Sequence, residues 1–338
     1  MVAQNYAGAV RAGAMAAARI HRDMTLKETI EARGGNVDVF KAIHQLDVTL
    51  LLRPLKGLLG AFLNEPSPGI LVTTERPMSI QRFTAAHELG HYIMKHEPSL
   101  DDESMLRRMP INAQPASDLQ EVEADAFATA FMLPAWLLGW HMMRQGWTVE
   151  NFRRPSTVYQ FALRLGASYE ATCWTLVRNN LIDRKLAREL LLTKPRELKA
   201  GLLEPYEPEN YRGDVWLLTE KDADTRIDGS RNDHFVLRLK EHSGGGYLWD
   251  MDQLNASGFA IVREELEAVD GDGVGGPVVR RVTAQPTSSY RGTMAIDERR
   301  PWDPDDAPLT SLEVEFDLTG PEEEGLSRAE RRDLLEAA

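Results

Sequence analysis

Arg82-Phe83-Thr84-Ala85-Ala86-His87-Glu88-Leu89-Gly90-His91 is the most informative stretch of the sequence. Ser79 ahead of it reads as an N-cap and Pro98 beyond it as a stop, which predicts a helix running to about Lys95. Residues four apart on a helix stand one above the other on the same face, so both imidazoles can reach one ion. Neutral imidazole nitrogens suit zinc at ~2.0–2.1 Å, and a catalytic site takes three protein ligands and leaves the fourth position to water. Glu88, next to His87 and turned away from the shared face, flanks such an ion without binding it and can take a proton from the water. Gly90 has no side chain to block close packing behind the site.

A third ligand is required, and the best source is the segment 119–133, an apolar helix ended by Pro134. Glu121 and Asp125 are four apart, so one carboxylate can coordinate while the other accepts a ring N–H from a ligating histidine. Glu123 points to the side of the helix shared by Phe127 and Phe131, a packing face in part, which favours Glu121 over Glu123 as the ligand. A different metallopeptidase class takes its third histidine six residues after the second, with a glycine between them; Glu97 and Met94 stand at those positions. His96 and Glu97 read as supporting or surface residues rather than ligands. Tyr92, His96 and His141 are the candidates for stabilising an oxyanion.

Working outward, residues 8–33 read as one helix closed by Gly34-Gly35-Asn36, followed by a second at about 37–45. Segments 48–52, 60–63 and 69–73 read as short strands of a small sheet, the last two joined by Glu65-Pro66-Ser67-Pro68. Residues 148–192 carry helical periodicity, with Cys173 on an apolar run. A DNA-binding helix-turn-helix is the alternative there, but few basic residues line the second helix, and a bundle packed on the preceding domain is favoured. Beyond 205 the period changes to two, and seven short strands at 215–218, 234–239, 246–249, 259–262, 278–282, 293–297 and 312–318 suggest a β-sandwich. Gly271-Asp272-Gly273-Val274-Gly275-Gly276 matches a dinucleotide glycine pattern, but Pro277 and a strand follow instead of a helix, which removes the phosphate site. Ser327 and Glu330 are spaced as a capping box and predict a short, exposed terminal helix.

The fold class is therefore α+β: a mostly helical metallopeptidase domain with a small sheet, then a β-sandwich. The boundaries fall at 1–145 for the peptidase core, 146–204 for the helical segment, 205–320 for the sandwich and 321–338 for a helical tail. Residues 1–200 carry 24 Lys and Arg against 21 Asp and Glu, whereas the remaining 138 carry 15 against 31. That division fits two pieces of different surface character and disfavours direct nucleic-acid binding, which needs a basic face. With Cys173 as its only cysteine the chain has no intrachain disulfide, which fits a reducing compartment. Arg11, Arg19 and Arg22 interrupt the Ala-rich N-terminal stretch, and Arg53, Pro54 and Lys56 break the apolar run 50–63, so neither reads as an export signal or a membrane span. The expectation is a cytoplasmic protein without a membrane partner.

Over about residues 12–190 the sequence resembles the ImmA/IrrE metallopeptidases. The likeness rests on Val37-Asp38-Val39-Phe40, the stretch Gln81 to His91, and Glu121-x-x-Ala124-Asp125-x-Phe127-Ala128 leading to Met132-Leu133-Pro134. The resemblance implies zinc bound by His87, His91 and Glu121, with Glu88 as general base and Asp125 in place of the family's usual Asn. It also implies a gluzincin-like fold and an endopeptidase that cuts a helix-turn-helix transcriptional repressor. Over about 210–320 the order of loops resembles the chagasin family of immunoglobulin-like inhibitors of papain-type cysteine peptidases. Ser243-Gly244-Gly245-Gly246-Tyr247-x-Trp249 stands where that family has Asn-Pro-Thr-Thr-Gly-Tyr, Gly273-Val274-Gly275-Gly276 matches its central glycine loop, and Arg300-Pro301-Trp302 its third. Gly246, Tyr247, Gly275, Gly276, Arg300, Pro301 and Trp302 are thereby the candidate partner-binding residues, for recognition of a substrate or for autoinhibition. The alternative is an adaptor whose sandwich captures a peptidase or other protein and whose zinc centre is structural.

Overall fold

A computed structural model describes residues 2–65, 67–97, 100–102, 119–268, 276, 278–287, 290–303 and 306–336. The N-terminal part runs α1 (Val2–Asp23), α2 (Leu26–Arg33), α3 (Val39–Gln45), β1 (Thr49–Arg53), β2 (Leu58–Leu63), β3 (Gly69–Thr73), α4 (Met78–Met94), β4 (Leu100–Asp102), α5 (Leu119–Met132) and α6 (Ala135–Gln145). Four further helices follow: α7 (Pro155–Leu165), α8 (Tyr169–Arg178), α9 (Arg184–Leu190) and α10 (Pro195–Leu203). The sheet-rich remainder comprises β5 (Val215–Leu218), β6 (Thr225–Asp228), β7 (His234–Glu241), β8 (Leu248–Trp249), α11 (Met251–Ala256), β9 (Phe259–Ala268), β10 (Val278–Pro286), β11 (Arg291–Arg299), β12 (Thr310–Asp317), β13 (Gly325–Leu326) and α12 (Arg328–Glu336).

Helices α1, α4 and α5 form the frame of the N-terminal part, because their buried faces are lined by small residues that let them approach closely. A side-chain carbon at Gly13 of α1 would fall 2.2 Å from the Glu123 carbonyl of α5. One at Gly90 of α4 would fall 3.1 Å from the Phe127 ring. The sheet lies under α4 in the order β13-β1-β3-β2-β4, and its inner face contributes Leu50, Leu52, Phe62, Ile70 and Val72 to the core. That core continues without a break into α7 to α10, through Phe152, Val158, Phe161, Cys173, Leu176 and Leu198. The helical segment thus shares its interior with the preceding domain, and its second helix is committed to that core. Burial pushes the Cys173 thiol up to about 12, so the group packs as a small apolar residue. The stretch Leu119–Gln145 is long and apolar enough by composition to cross a membrane, but 61% of its most apolar window is buried here as the α5–α6 core.

The sandwich is built from two four-stranded sheets, β5-β7-β10-β9 and β6-β12-β11-β8, around Trp216, Phe235, Leu237, Phe259, Ile296, Val314 and Phe316. It is joined to the helices by buried polar contacts. Arg164 of α7 donates to Asp222 at 2.7 Å and to the Leu217 carbonyl at 2.8 Å, while Gln145 donates to the same Asp222 at 2.7 Å. The pairing of desolvated charges with several donors holds the two parts in one orientation, since breaking it would strand a buried carboxylate. Chain return makes a second junction: β13 pairs antiparallel with β1, Leu51 opposite Leu326, and covers an otherwise open sheet edge.

Several expectations are corrected. The segment 8–33 is two helices, broken where Thr25 takes a left-handed conformation (φ 50°) that no glycine or proline announces. α4 begins at Met78 with Pro77 as its cap, not Ser79, because the Pro77 carbonyl already accepts the Gln81 amide at 3.0 Å. The strand expected at 246–249 is only Leu248–Trp249, since residues 243–245 turn in a 3-10 helix and Gly246 is left-handed (φ 79°). β6, β13 and α11, at four, two and six residues, are too short to carry a period; α11 is started by Asp250, whose side chain accepts the Asp252 amide at 3.1 Å. The terminal helix is capped and exposed as expected, with Glu330 N–H to Ser327 Oγ at 3.3 Å and no buried side chain, and it touches α3 through His44 and Asp333 at 2.7 Å. Pro66, Pro98 and the glycine run 271–275 lie outside the described residues.

Candidate metal centre and its surroundings

α4 is fixed on three sides before its histidines begin. At its start, the Gln81 amide clasps residue 322: its nitrogen donates to the Thr73 and Glu322 carbonyls, both at 3.2 Å, and its oxygen accepts the Glu322 amide at 2.8 Å. Arg82 then faces Asp228 of the sandwich at 3.5 Å. Further along, Thr84 and Glu88 press on β2, where a side-chain carbon at Gly60 would fall 2.5 Å from Thr84 Cγ2 and 2.7 Å from Glu88 Oε1. Gly60 is therefore a feature of the site that pattern reading passed over as a strand residue; only the close approach gives it meaning.

His87, Glu88 and His91 are all fully buried on the inner face of α4. The Nε2 atoms of the two histidines are 3.0 Å apart, and Glu121 of α5 brings one carboxylate oxygen to 3.4 Å from His87 Nε2 and the other to 3.6 Å from His91 Nε2. Tetrahedral ligands at ~2.1 Å from one ion stand roughly 3.4 Å from each other, so the two nitrogens and the carboxylate have the spacing of a shared ligand set. Among the described residues this is the one group of histidine, cysteine and carboxylate side chains with that property. The residues fit a divalent metal in donor type, in separation and in burial. His87 Nδ1 lies 2.9 Å from Asp125 Oδ1, one turn further along α5 from Glu121.

Glu123 faces elsewhere. Its carboxylate meets His96 Nε2 at 2.8 Å, and His96 Nδ1 meets His91 Nδ1 at 3.0 Å. His96 is thus tied to His91 and buried. The three oxyanion candidates separate: Tyr92 packs edge-on against Phe62, and His141 is committed to the Gly35 carbonyl at 2.9 Å, away from the cluster. Burial, with Arg164 nearby, pushes the His141 imidazole down to about 3.

A profile of the Peptidase M78 family, described as the IrrE N-terminal-like domain, matches residues 44–176. That span contains both histidines, Glu88 and all three α5 carboxylates. Residues 44–176 are an IrrE N-terminal-like peptidase domain. A protein substrate follows from that kind of domain, and the IrrE-like domain is here followed by a sheet-rich region. Amoebiasin-2 of Entamoeba histolytica is 26% identical over 100 residues, which is 29% of this chain and 80% of that protein. Two solved structures are similar as well. A cysteine protease inhibitor, EhICP2, from Entamoeba histolytica shares 24% identity (TM-score 0.27) over 31% of this chain and 95% of its own. Amebosin shares 20% identity (TM-score 0.25) over 30% of this chain and 95% of its own.

At one end of the sandwich Gly246 meets Trp302 and Tyr247 meets Arg300. Trp302, 70% exposed, lies across Gly246, where a side-chain carbon would be 2.3 Å from the indole, and the Arg300 guanidinium stacks 4.4 Å above the Tyr247 ring. Pro301 turns the chain between Arg300 and Trp302, and Gly276 borders β10. Gly275 lies outside the described residues. This end is braced by two buried glutamates the sequence did not single out. Glu298 accepts the His242 amide at 2.6 Å and faces its ring at 3.0 Å, and Glu241 pairs with Arg280 and accepts the Trp249 amide at 3.2 Å.

Proposed function

We propose that this chain is a zinc-dependent endopeptidase that cuts a regulatory protein inside the cell. Its resemblance to ImmA/IrrE peptidases makes a helix-turn-helix transcriptional repressor the favoured substrate. The observation that carries the reading is the convergence of two buried Nε2 atoms and a carboxylate at ligand spacing, with Glu88 one residue away. In this reading His87, His91 and Glu121 hold the ion. When bound, zinc supplies Lewis acidity, polarising the scissile carbonyl and lowering the pKa of water from ~15.7 toward ~7. Glu88 is then the base that takes the proton from the attacking water and returns it to the leaving amine. Its burial against Gly60 fixes the carboxylate in one orientation, and Asp125, 2.9 Å from His87 Nδ1, supports that ring from behind. The sandwich end bearing Tyr247, Arg300 and Trp302 recognises the partner.

The experiment is co-expression with the product of a neighbouring repressor gene, read by intact mass and by metal analysis. Wild-type protein should contain about one zinc per chain and generate a cut fragment, whereas Glu88→Gln should keep the zinc and leave the repressor whole. Cleavage that persists in Glu88→Gln would remove the reading. A second reading, an adaptor that captures a peptidase through the sandwich, is favoured by the exposed Trp302 and by the likeness to Amoebiasin-2. It predicts that the chain inhibits papain and that Trp302→Ala relieves the inhibition; an unaffected papain would end it.

A further inference from the structure

The contact of His91 with His96 has a use beyond packing. Both Nε2 atoms of the α4 pair turn toward Glu121, so a metal held there needs both lone pairs free, and each ring must carry its proton on Nδ1. His87 then turns its Nδ1–H toward Asp125 Oδ1, 2.9 Å away. At the Nδ1 of His91 the described residues bring an imidazole. What lies there, at 3.0 Å, is the Nδ1 of His96. Two facing Nδ1 atoms form a hydrogen bond only if one holds the proton and the other offers a lone pair. Since His91 must be the donor, His96 Nδ1 must be the acceptor, and the proton of His96 must sit on Nε2. That atom lies 2.8 Å from Glu123 Oε2, a carboxylate able only to accept when ionised. One condition therefore assigns every proton along the line Glu123, His96, His91 without conflict.

Backbone geometry makes the alignment deliberate in physical terms. Lys95 caps α4 in the left-handed conformation (φ 59°, ψ 45°), a position where glycine is the usual residue, and this folds the chain so that the His96 amide bonds the His91 carbonyl at 3.0 Å. The turn swings the His96 ring beneath His91, with centroids 4.9 Å apart and planes at 74°. The ring is almost wholly buried, yet both of its nitrogens are matched. From α5, Glu121 and Glu123 reach opposite ends of the same imidazole chain.

We propose that His96 is a positioning residue for the metal: itself held by the acceptor oxygen of Glu123, it fixes the tautomer and ring orientation of His91, as Asp125 does directly for His87. This rests on the metal-site reading above. Supporting groups of this kind are worth about 10–100-fold in metal affinity when removed. The line acts in series, so its members must be interdependent, whereas Asp125 acts through the other histidine and must be independent.

The test uses the full-length chain and measures zinc affinity by competition with a chromophoric chelator, together with the visible absorption of the cobalt(II)-loaded protein. Melting of the metal-free forms records any loss of fold separately. Expected are a 10–100-fold weaker zinc affinity for His96→Ala, a similar loss for Glu123→Ala, and no further loss in the double variant. Glu123→Gln, whose amide oxygen can still accept the Nε2 proton, should recover most of the affinity. Combining His96→Ala with Asp125→Ala should multiply the two losses. The cobalt bands should shift in His96→Ala and return toward wild type in the Glu123→Gln form. His96→Ala binding zinc as tightly as wild type, or losses at 96 and 123 that multiply, would overturn the positioning role while leaving the metal site standing. A wild-type chain that binds neither zinc nor cobalt would instead overturn the reading on which that role rests.

Discussion

Gly60→Ala should damage the site while touching none of its candidate ligands. The added carbon would lie 2.5 Å from Thr84 Cγ2, 2.7 Å from Glu88 Oε1 and 2.9 Å from the Leu71 carbonyl. Ordinary carbon contacts are ~3.5–4.0 Å, so the helix face must retreat by about 1 Å at Thr84, and Glu88 must swing or move with it. Neither neighbour is the free end of an exposed side chain: Thr84 and Glu88 are both fully buried, and Leu71 is held in the β2–β3 register. Overpacking of this kind costs about 1–3 kcal/mol, which for a domain of this size lowers the melting temperature by roughly 2–12 °C. A displacement of about 1 Å at a general base can cost ~100-fold in rate. Thermal melting, zinc content and the rate at which repressor fragment accumulates are the three assays. The expected result is lower melting, near-normal zinc and cleavage reduced by about two orders of magnitude. Gly139→Ala is the control, since nothing lies within 4 Å of that position on α6, and it should be neutral or stabilising by ~0.4–1 kcal/mol. A Gly60→Ala protein that melts and cuts like wild type would refute the seating of α4 on the sheet.

Acid should destabilise the fold through His141. Its imidazole stays neutral when folded, down to about 3, while the unfolded chain protonates near pH 6.5. Stability therefore falls as pH drops below about 6.5, by up to ~1.4 kcal/mol per pH unit, and His141→Gln should flatten that slope in denaturant titrations between pH 6.5 and 4. Gln81→Ala removes the partner of the buried Glu322 amide and should cost about 1–3 kcal/mol in the same titrations at neutral pH. Gly246→Val, which drives a side chain into the Trp302 indole from a left-handed position, should leave zinc content unchanged and disturb only the sandwich end, visible as altered tryptophan fluorescence.

The parts of the site carried by a single helix were legible because helical spacing converts directly into geometry. His87 and His91 share a face wherever that helix is packed, and the pairing of Glu121 with Asp125 follows by the same rule on α5. The division of the chain into a helical part with a small sheet and a sheet-rich part was equally open, since the apolar period changes near residue 205. What escaped depends on long-range contact. Gly60 matters only because α4 lies across it, and Glu298 only because residue 242 folds back onto it. Thr25 breaks a helix with no local breaker, and the two-residue β13 is too short to carry any period. His96 was visible as a nearby histidine, but its partner arrives from a helix more than twenty residues later.

The pairing of β13 with β1, together with the Gln81 clasp on residue 322, ties the last described segment to the first sheet. The IrrE-like sheet is consequently a structure completed from both directions along the chain. During synthesis the border of β1 stays uncovered until roughly a hundred residues of sandwich have been made. Cutting the gene at the junction near residue 205 would release a peptidase fragment with a sticky strand exposed. A fragment meant to retain the native sheet has to carry residues 321–336, and omitting the sandwich between would strand the buried Arg164 guanidinium that Asp222 now meets.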